Sequence, residues 1–194
     1  MLAGGQGTRL KEHFDGPKPM CPINNHPFLH YVLQYWASQG ASRFIICGGP
    51  DVQPFHDAFS YKYMGVPIDY IQETERLGTG GAMLAGFDEL KSFLPFLVIN
   101  GDTMFKVPLK ELYATHKMGA TFTINYEMQN GGVYIFDQHL MSVFDGFMSP
   151  ASLENQIMVQ LSRGVFPVQG RLWDEEFIQI NTPKDVEKAK ILLL

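Results

Sequence analysis

Short apolar runs typical of β-strands alternate along this chain with segments of helical periodicity, and this alternation restricts the fold more than any other feature. The run at 96–99 (FLVI) suits a buried central strand, because it is too short for a helix. Residues 28–39 carry apolar side chains at helical spacing, and Gly40 follows where a helix ends. Strands separated by helices form βαβ units. We therefore predict an α/β fold with a Rossmann-like mixed, mainly parallel sheet and helices on both faces.

Further elements follow from the same patterns. Strands are predicted at 43–47, 66–72, 121–126, 133–136 and 177–180, and helices at 52–61, 80–90, 108–118 and 152–161. The last helix begins after Thr182, because Pro183 and Asp185 suit its first turn. A length of 194 residues fits one domain. Ligands bind beyond the carboxyl ends of the strands in such sheets, which directs attention to the loops after residues 3 and 99.

The charge and the apolar pattern exclude several classes of protein. With 15 Lys and Arg against 20 Asp and Glu, the formal net charge is −5, whereas binding to nucleic acid or an anionic membrane requires a basic surface. No run approaches the roughly 18 apolar residues of a membrane span. The first residues lack the regions of a signal peptide, and two isolated cysteines do not build a disulfide scaffold. We therefore expect a cytoplasmic protein without nucleic-acid or membrane partners.

Residues 2–10 (LAGGQGTRL) form a glycine-rich loop suited to phosphate, because its backbone N–H groups have no Cβ in the way. A dinucleotide fingerprint would need a third glycine where Leu10 stands, and a Walker A loop would need a Gly-Lys pair that the sequence lacks. Arg9 can bind two phosphate oxygens at once, and Lys18 is held between two prolines. Taken alone, these residues also fit a tight surface turn with two solvated cations.

The complete string resembles the start of the sugar-1-phosphate nucleotidyltransferases, in which such a loop is followed by a motif like PKPMCP at 17–22. The likeness continues in order along nearly the whole chain, with NHPFL at 25–29, LGTGGA at 77–82, NGDT at 100–103, NGGVYIF at 130–136 and FIQINTP at 177–183. Within that family, the chain looks most similar to the heptose- and mannose-1-phosphate guanylyltransferases.

The resemblance implies that a sugar 1-phosphate attacks the α-phosphorus of a nucleoside triphosphate, giving a nucleotide sugar and pyrophosphate. It implies GTP and a heptose or mannose 1-phosphate as favoured substrates, and Arg9, Lys18 and Asp102 as catalytic residues. Carried over motif by motif, it also implies nucleotide contacts from Leu2, Ala3, Gly4, Gly5, Gly7, Thr8, Gln72, Gly78 and Thr79. Sugar contacts are implied for Gly101, Asn130 and Gly131.

Asp102 is the predicted ligand of a Mg²⁺ cofactor. It follows a buried strand and a glycine, so its carboxylate lies at the edge of the sheet where ligands bind. Mg²⁺ prefers one or two carboxylates together with phosphate oxygens. An aspartate in an Asn-Gly-Asp string is also common in turns, so the metal role depends on the resemblance. Glu73, Glu75 and Arg76 are interpreted instead as the edge of a solvated loop.

Three departures from the family pattern modify these expectations. Gln179 stands where the family has a second metal-binding aspartate, and Asn181 replaces a glycine of the same motif. A neutral amide binds Mg²⁺ more weakly than a carboxylate. The stretch before 130–136 is short, so we expect a missing segment near residues 129–130. Because a strand needs about five residues, we also expect residues to be missing before residue 2. We therefore predict that residues 1–194 form a single nucleotidyltransferase domain that lacks the segments before residue 2 and near residues 129–130.

Several alternatives stay open on the sequence alone. UTP, CTP or dTTP can replace GTP in this family. A phosphocholine-type cytidylyltransferase shares the core, although no aromatic cage for choline is evident in the sequence. A non-catalytic nucleotide-binding relative is favoured by Gln179 and opposed by Arg9, Lys18 and Asp102. The sequence does not decide between a monomer and a homo-oligomer.

Overall fold

A computed structural model describes residues 1–5, 7–90, 92, 95–140, 144, 148–164 and 167–194, with only the backbone at residue 88. Within these residues, the helices α1 to α7 are, in order, Phe28–Ser38, Gln53–Phe59, Gly78–Ala85, Phe87–Leu90, Leu109–Thr115, Met158–Arg163 and Pro183–Leu192. The strands β1 to β11 are Pro22–Ile23, His26–Pro27, Phe44–Cys47, Lys62–Tyr63, Val66–Ile71, Phe96–Ile99, Thr103–Phe105, Ala120–Asn125, Asn130–Phe136, Val168–Trp173 and Phe177–Gln179. No helix in this part of the chain is both long and apolar enough to span a bilayer.

The first residues of the chain join the strands into one mixed sheet. On one side the strand order is β3, β5 and β4, and on the other it is β6, β9, β8 and β10. Leu2 forms parallel bridges both to Cys47 at the end of β3 and to Asn100 just beyond β6. Because these neighbours run parallel, the carboxyl ends of β3 and β6 and the loop after Ala3 open at the same edge. β7 and β11 form a separate antiparallel pair.

Each face of the sheet carries its own hydrophobic core. Alternate side chains of a strand point to opposite faces. On β9, Val133 and Ile135 belong to the core that contains the buried face of α1, whereas Tyr134 and Phe136 belong to the core that contains Leu161 of α6. Helices therefore cover both faces, as the sequence predicts.

Most predicted elements are confirmed, with ends shifted by a few residues. The helix predicted at 80–90 is divided into α3 and α4 at Gly86, and residues 152–161 begin with a π-helical turn at Leu153–Ile157 before α6. Sequence periodicity missed β7, β10 and the two-residue strands β1, β2 and β4. Among the described residues, five of the seven strand pairs are antiparallel, so fewer parallel strands are present than expected. Three of these pairs, β1–β2, β4–β5 and β8–β9, join consecutive strands through short turns, whereas β6–β9 and β7–β11 join strands that are distant in sequence.

The connection from β8 to β9 is a tight turn. Met128, at φ +59°, donates its N–H to Asn125 O at 2.9 Å, and Asn125 donates its N–H to Gln129 O at 3.0 Å. Asn125 Nδ2 also donates to Gln129 Oε1 at 3.0 Å. The turn joins Gln129 directly to the first residue of β9, and the missing segment expected at this junction stays a prediction.

Candidate active site

A cavity of about 240 Å³ opens at the carboxyl edge of the sheet, where the loops after Ala3, β5 and β6 converge. They meet there because Leu2 bridges β3 and β6, and β5 runs parallel to β3. The cavity brings together eight of the predicted site residues, namely Leu2, Ala3, Gly4, Gly5, Lys18, Gly78, Thr79 and Asp102. Its lining is completed by residues that the sequence did not assign to the site, namely Pro19, Glu73, Arg76, Ala82 and Asn100.

Lys18 and Asp102 form an ion pair inside the cavity, where their side chains are 13% and 20% exposed. The ammonium contacts Asp102 Oδ2, and Thr103 Oγ1 donates to Asp102 Oδ1 at 2.9 Å. Gln179 lies opposite Thr103 in the β7–β11 pair, and its amide nitrogen donates to Thr103 Oγ1 at 3.3 Å. The residue at the second metal-ligand position is therefore linked to Asp102 through a single hydroxyl group.

Asn181 connects the two predicted catalytic cations. Its Oδ1 accepts a hydrogen bond from Lys18 Nζ at 2.9 Å and a longer one from Arg9 Nη2 at 3.5 Å. The capping box of α7 holds Asn181 in place, because Asp185 Oδ2 accepts from the N–H groups of Asn181 and Thr182 at 3.0 and 2.7 Å. Arg9 itself is exposed beside the cavity. The asparagine that departs from the family pattern thus supplies a neutral acceptor between two positive charges.

The glycines of the first loop differ in whether the fold requires them. Gly4 crosses Gly49 so closely that an added Cβ would lie 2.8 Å from Gly49 Cα. Gly7 has a φ of +57°, in the left-handed region that favours glycine. At Gly5 an added Cβ would have no atom within 4 Å, so packing does not require glycine there. Gly5 is therefore the glycine whose contact with a ligand is easiest to test. Gln6 lies outside the described residues.

The first turn of α3 packs tightly against the segment at 149–153. Gly78 has a φ of +73°, and an added Cβ would lie 2.5 Å from the carbonyl oxygen of Ala151. The same oxygen accepts hydrogen bonds from the N–H groups of Gly80 and Gly81 at 2.9 and 3.2 Å. These amides of α3 are therefore satisfied within the protein, and the LGTGG motif shapes the cavity wall.

A chain of hydrogen bonds runs from the cavity to the predicted sugar-contacting strand. Thr79 Oγ1 donates to Glu154 Oε2, and Tyr134 OH donates to Glu154 Oε1, both at 3.0 Å. Asn130 Nδ2 donates to Tyr134 OH at 2.5 Å. Burial and the neighbouring Glu154 carboxylate raise the pKa of Tyr134, so the phenol stays protonated and able to donate. Sequence reasoning missed Glu154, because only the fold brings it between residues 79 and 134.

The loop after β5 differs from expectation. Gln72 is exposed outside the cavity lining, and its amide nitrogen donates to Pro50 O at 2.8 Å. The interpretation of Glu73 as part of a solvated edge is wrong, because Glu73 is 6% exposed and lines the cavity. Arg76 is exposed as expected, but it donates to Gly4 O at 3.2 Å, across the cavity mouth. The position of Glu73 just beyond a strand end, like that of Asp102, could have indicated a site residue.

Other predicted residues outside the cavity lining are Gly7, Thr8, Gly101, Asn130 and Gly131. Gly101 donates its N–H to Leu2 O at 2.9 Å, next to the Leu2 bridge. Gly131 is buried in β9, where an added Cβ would lie 2.3 Å from Thr123 Oγ1. Packing therefore explains Gly131, and an added Cβ at Gly101 would lie 3.1 Å from Pro19 Cγ. The substrate contacts assigned to both glycines stay predictions.

The family profile described as nucleotidyl transferase matches residues 1–130. The chain belongs to this family. A D-glycero-alpha-D-manno-heptose 1-phosphate guanylyltransferase from Aneurinibacillus thermoaerophilus is 39% identical to this nucleotidyltransferase over 224 residues, covering 98% of the chain and 95% of the relative. A protein of the same name from Campylobacter jejuni is 29% identical over 214 residues, covering 95% of each.

A crystal structure of HddC from Yersinia pseudotuberculosis complexed with GMP-PN matches this nucleotidyltransferase with a TM-score of 0.83 and 25% identity. The match covers 100% of the chain and 97% of that protein. The resemblance to the sugar-1-phosphate nucleotidyltransferases and the α/β fold are thereby confirmed. The span aligned with the Aneurinibacillus relative, 224 residues, exceeds the 194 residues of this nucleotidyltransferase by 30. That relative has at least this many residues without a counterpart here, and the missing segment near residues 129–130 stays a prediction.

Proposed function

We propose that this enzyme transfers a guanylyl group from GTP to a sugar 1-phosphate, heptose or mannose 1-phosphate being favoured, and releases pyrophosphate. The observation that carries the proposal is the convergence of the glycine-rich loop, Lys18 and Asp102 on one cavity. The guanylyltransferase relatives support GTP and a heptose phosphate, and the complex of the Yersinia protein with GMP-PN supports a guanine nucleotide. Because cells hold these substrates in the cytoplasm, we propose that the enzyme acts there.

The proposed reaction brings two phosphate groups together, so the protein must neutralise and align them. The sugar phosphate oxygen attacks the α-phosphorus in line, and the bond to the β-phosphate breaks to release pyrophosphate. Lys18 lines the cavity. In the proposed reaction its ammonium would contact the α-phosphate and the incoming phosphate. Arg9 shares Asn181 with Lys18 and is exposed beside the cavity, where it would bind the departing pyrophosphate.

The residues present fit a Mg²⁺ ion that binds one protein carboxylate and phosphate oxygens. Asp102 lines the cavity, and the amide oxygen of Gln179 has no hydrogen-bond partner in the described part of the chain. Across these described ranges, no group of three His, Cys, Asp or Glu side chains could hold a metal. The ion would therefore depend on the nucleotide as well as on Asp102 and Gln179. It would supply charge neutralisation at the phosphates.

A pyrophosphate-release assay with five nucleoside triphosphates and a panel of sugar 1-phosphates tests the proposal. We expect release with GTP and with heptose or mannose 1-phosphate. Release with UTP, CTP or dTTP and not with GTP would support the class of enzyme but contradict the assignment of GTP as its substrate. Release with CTP and phosphocholine would favour the cytidylyltransferase reading. Nucleotide binding without release from any pair would instead identify a non-catalytic relative, which Gln179 favours.

Replacing Gln179 by aspartate is expected to lower the Mg²⁺ concentration for half-maximal turnover by about 10-fold, because a second carboxylate would then lie beside Asp102. The measurement is a Mg²⁺ titration of pyrophosphate release at saturating substrates. Gln160→Asp, which adds the same charge on the exposed face of α6, is the control and should leave the titration unchanged. An unchanged midpoint in Gln179→Asp would show that position 179 does not act on the metal.

A further inference from the structure

The side chain of Asn181 has no role in the reaction described above, although it contacts both cations that take part in it. Its Oδ1 accepts from Lys18 Nζ at 2.9 Å and from Arg9 Nη2 at 3.5 Å. Both cations lie near the start of the chain, 163 and 172 positions before Asn181. This single oxygen therefore joins distant parts of the sequence at the phosphate-binding part of the proposed site.

Lys18 is oriented from two sides by the protein. Its ammonium contacts Asp102 Oδ2 and donates to Asn181 Oδ1. An ammonium has three N–H donors, so two are engaged here and one is left for a phosphate oxygen. The direction of the third N–H is fixed only when both partners are present, because an ammonium with one partner can rotate about that hydrogen bond. Asn181 thus helps to set the direction in which Lys18 donates.

Arg9 depends on the same oxygen for a different reason. It is exposed, so its guanidinium can take many orientations before a nucleotide binds. Ordering such a side chain on binding costs conformational entropy. The hydrogen bond to Asn181 Oδ1 keeps Arg9 beside Lys18, and at 3.5 Å it is long enough to be exchanged for a shorter one to phosphate. Part of the ordering is therefore complete before the ligand arrives.

Asn181 is itself held by the start of α7, and its side chain carries no charge. Its backbone N–H donates to Asp185 Oδ2 at 3.0 Å, and Thr182 Oγ1 donates to the same oxygen at 2.9 Å. A carboxylate at position 181 would pair with both cations and neutralise them, whereas an apolar side chain would leave them without a shared partner. The amide oxygen holds Lys18 and Arg9 and leaves their positive charges for the ligand.

We propose that Asn181 is a positioning residue that holds Lys18 and Arg9 as one binding site for adjacent phosphate groups of the nucleotide, an inference that rests on the proposed function. In that reaction Lys18 acts at the α-phosphate and Arg9 at the departing pyrophosphate. A nucleoside triphosphate spans both cations, whereas a monophosphate brings only the phosphate that Lys18 contacts. Asn181 therefore contributes more to the affinity for GTP than to the affinity for GMP.

Calorimetric binding of GTP and GMP, with Mg²⁺ and without a sugar 1-phosphate, measures this role. We expect Asn181→Ala to bind GTP about 10-fold more weakly than wild type and GMP within about 2-fold of wild type, because the ligand itself must then order Arg9. Asn181→Asp should weaken GTP binding by at least as much, since its carboxylate competes with phosphate for both cations. Asn25→Ala, which removes an exposed asparagine between β1 and β2, is the control and should keep both affinities.

Steady-state kinetics separate positioning from a loss of structure. With mannose 1-phosphate as the acceptor, Asn181→Ala should raise the KM for GTP by a larger factor than it lowers kcat, as expected when an interaction that binds the substrate is removed. A preparation that is partly unfolded would instead lower kcat and leave KM unchanged. Thermal unfolding of the same preparations reports on the fold.

The inference is overturned if wild type binds GTP no more tightly than GMP, or if Asn181→Ala keeps the wild-type ratio of the two affinities. Should Asn181→Ala fail to fold, Asn181→Asp decides, and an unchanged affinity for GTP in that variant would overturn the inference. If pyrophosphate release favours another base, the triphosphate and monophosphate of that base replace GTP and GMP. Absence of release would contradict the proposed function alone, and the ratio of affinities would then decide the role of Asn181.

Discussion

Asp102→Asn is expected to lose at least about 100-fold in turnover while keeping the wild-type fold, a loss typical of a group that stabilises transition-state charge. The amide has nearly the shape of the carboxylate and can still accept the hydrogen bond from Thr103. Lys18 keeps its contact with Asn181, so the cavity should not collapse. What disappears is the negative charge that pairs with Lys18 and that fits the Mg²⁺ ion.

This expectation is checked by initial rates of pyrophosphate release with GTP and mannose 1-phosphate over a range of Mg²⁺ concentrations. Thermal unfolding of the same preparations reports on the fold. Asp15→Asn makes the same change of charge at an exposed aspartate and should retain wild-type rates. Near-normal Mg²⁺-dependent turnover in Asp102→Asn would show that the metal assignment is wrong.

A methyl group at Gly131 is expected to reduce the free energy of unfolding by about 3 kcal/mol, at the upper end of the usual range for overpacking a core. Gly131 lies in the central strand β9, and an added Cβ would meet Thr123 Oγ1 at 2.3 Å and Phe105 Cδ1 at 2.4 Å. Both neighbours belong to paired strands, so neither can move without disturbing the sheet. Urea unfolding of Gly131→Ala measures the loss.

Gly5→Ala is the matched comparison for that variant. The added Cβ has no atom within 4 Å, so the free energy of unfolding should stay within about 0.5 kcal/mol of wild type. Because Gly5 lines the cavity, the same methyl group should still raise the KM for GTP several-fold. Equal stability of the two alanine variants would contradict the close packing around Gly131, and an unchanged KM in Gly5→Ala would contradict its nucleotide contact.

Local sequence patterns predict the elements of this fold well and their pairing less well. FLVI at 96–99 forms β6 with those bounds, and α7 begins after Thr182 with Pro183 and Asp185 in its first turn, as the sequence predicts. These features depend on hydrogen bonds and burial within a few residues of chain. Strand direction depends on distant neighbours, which is why β8 pairs parallel with β10 and antiparallel with β9 although periodicity cannot distinguish the two.

For the candidate site, the sequence motifs correctly identified residues that different loops bring into the same cavity. Lys18, Asp102 and Gly78 meet in one cavity as the family resemblance implies. Motifs did not distinguish a glycine required by packing, such as Gly131, from one that packing leaves open, such as Gly5. They also assigned a nucleotide contact to Gln72, whose side chain donates to Pro50 O, and placed Glu73 at a solvated edge although it lines the cavity.

The sequence alone therefore determined the α/β class, the family and the assignment of Lys18 and Asp102 to one site, because each depends on short strings of residues in a fixed order. Only the tertiary structure decided that Asn181 bridges Lys18 and Arg9, that Glu154 joins Thr79 to Tyr134, and that Glu73 is buried with a free oxygen in the cavity. Burial and hydrogen-bond partners are set by chain segments that are distant in sequence, so their pattern is visible only once the chain is folded.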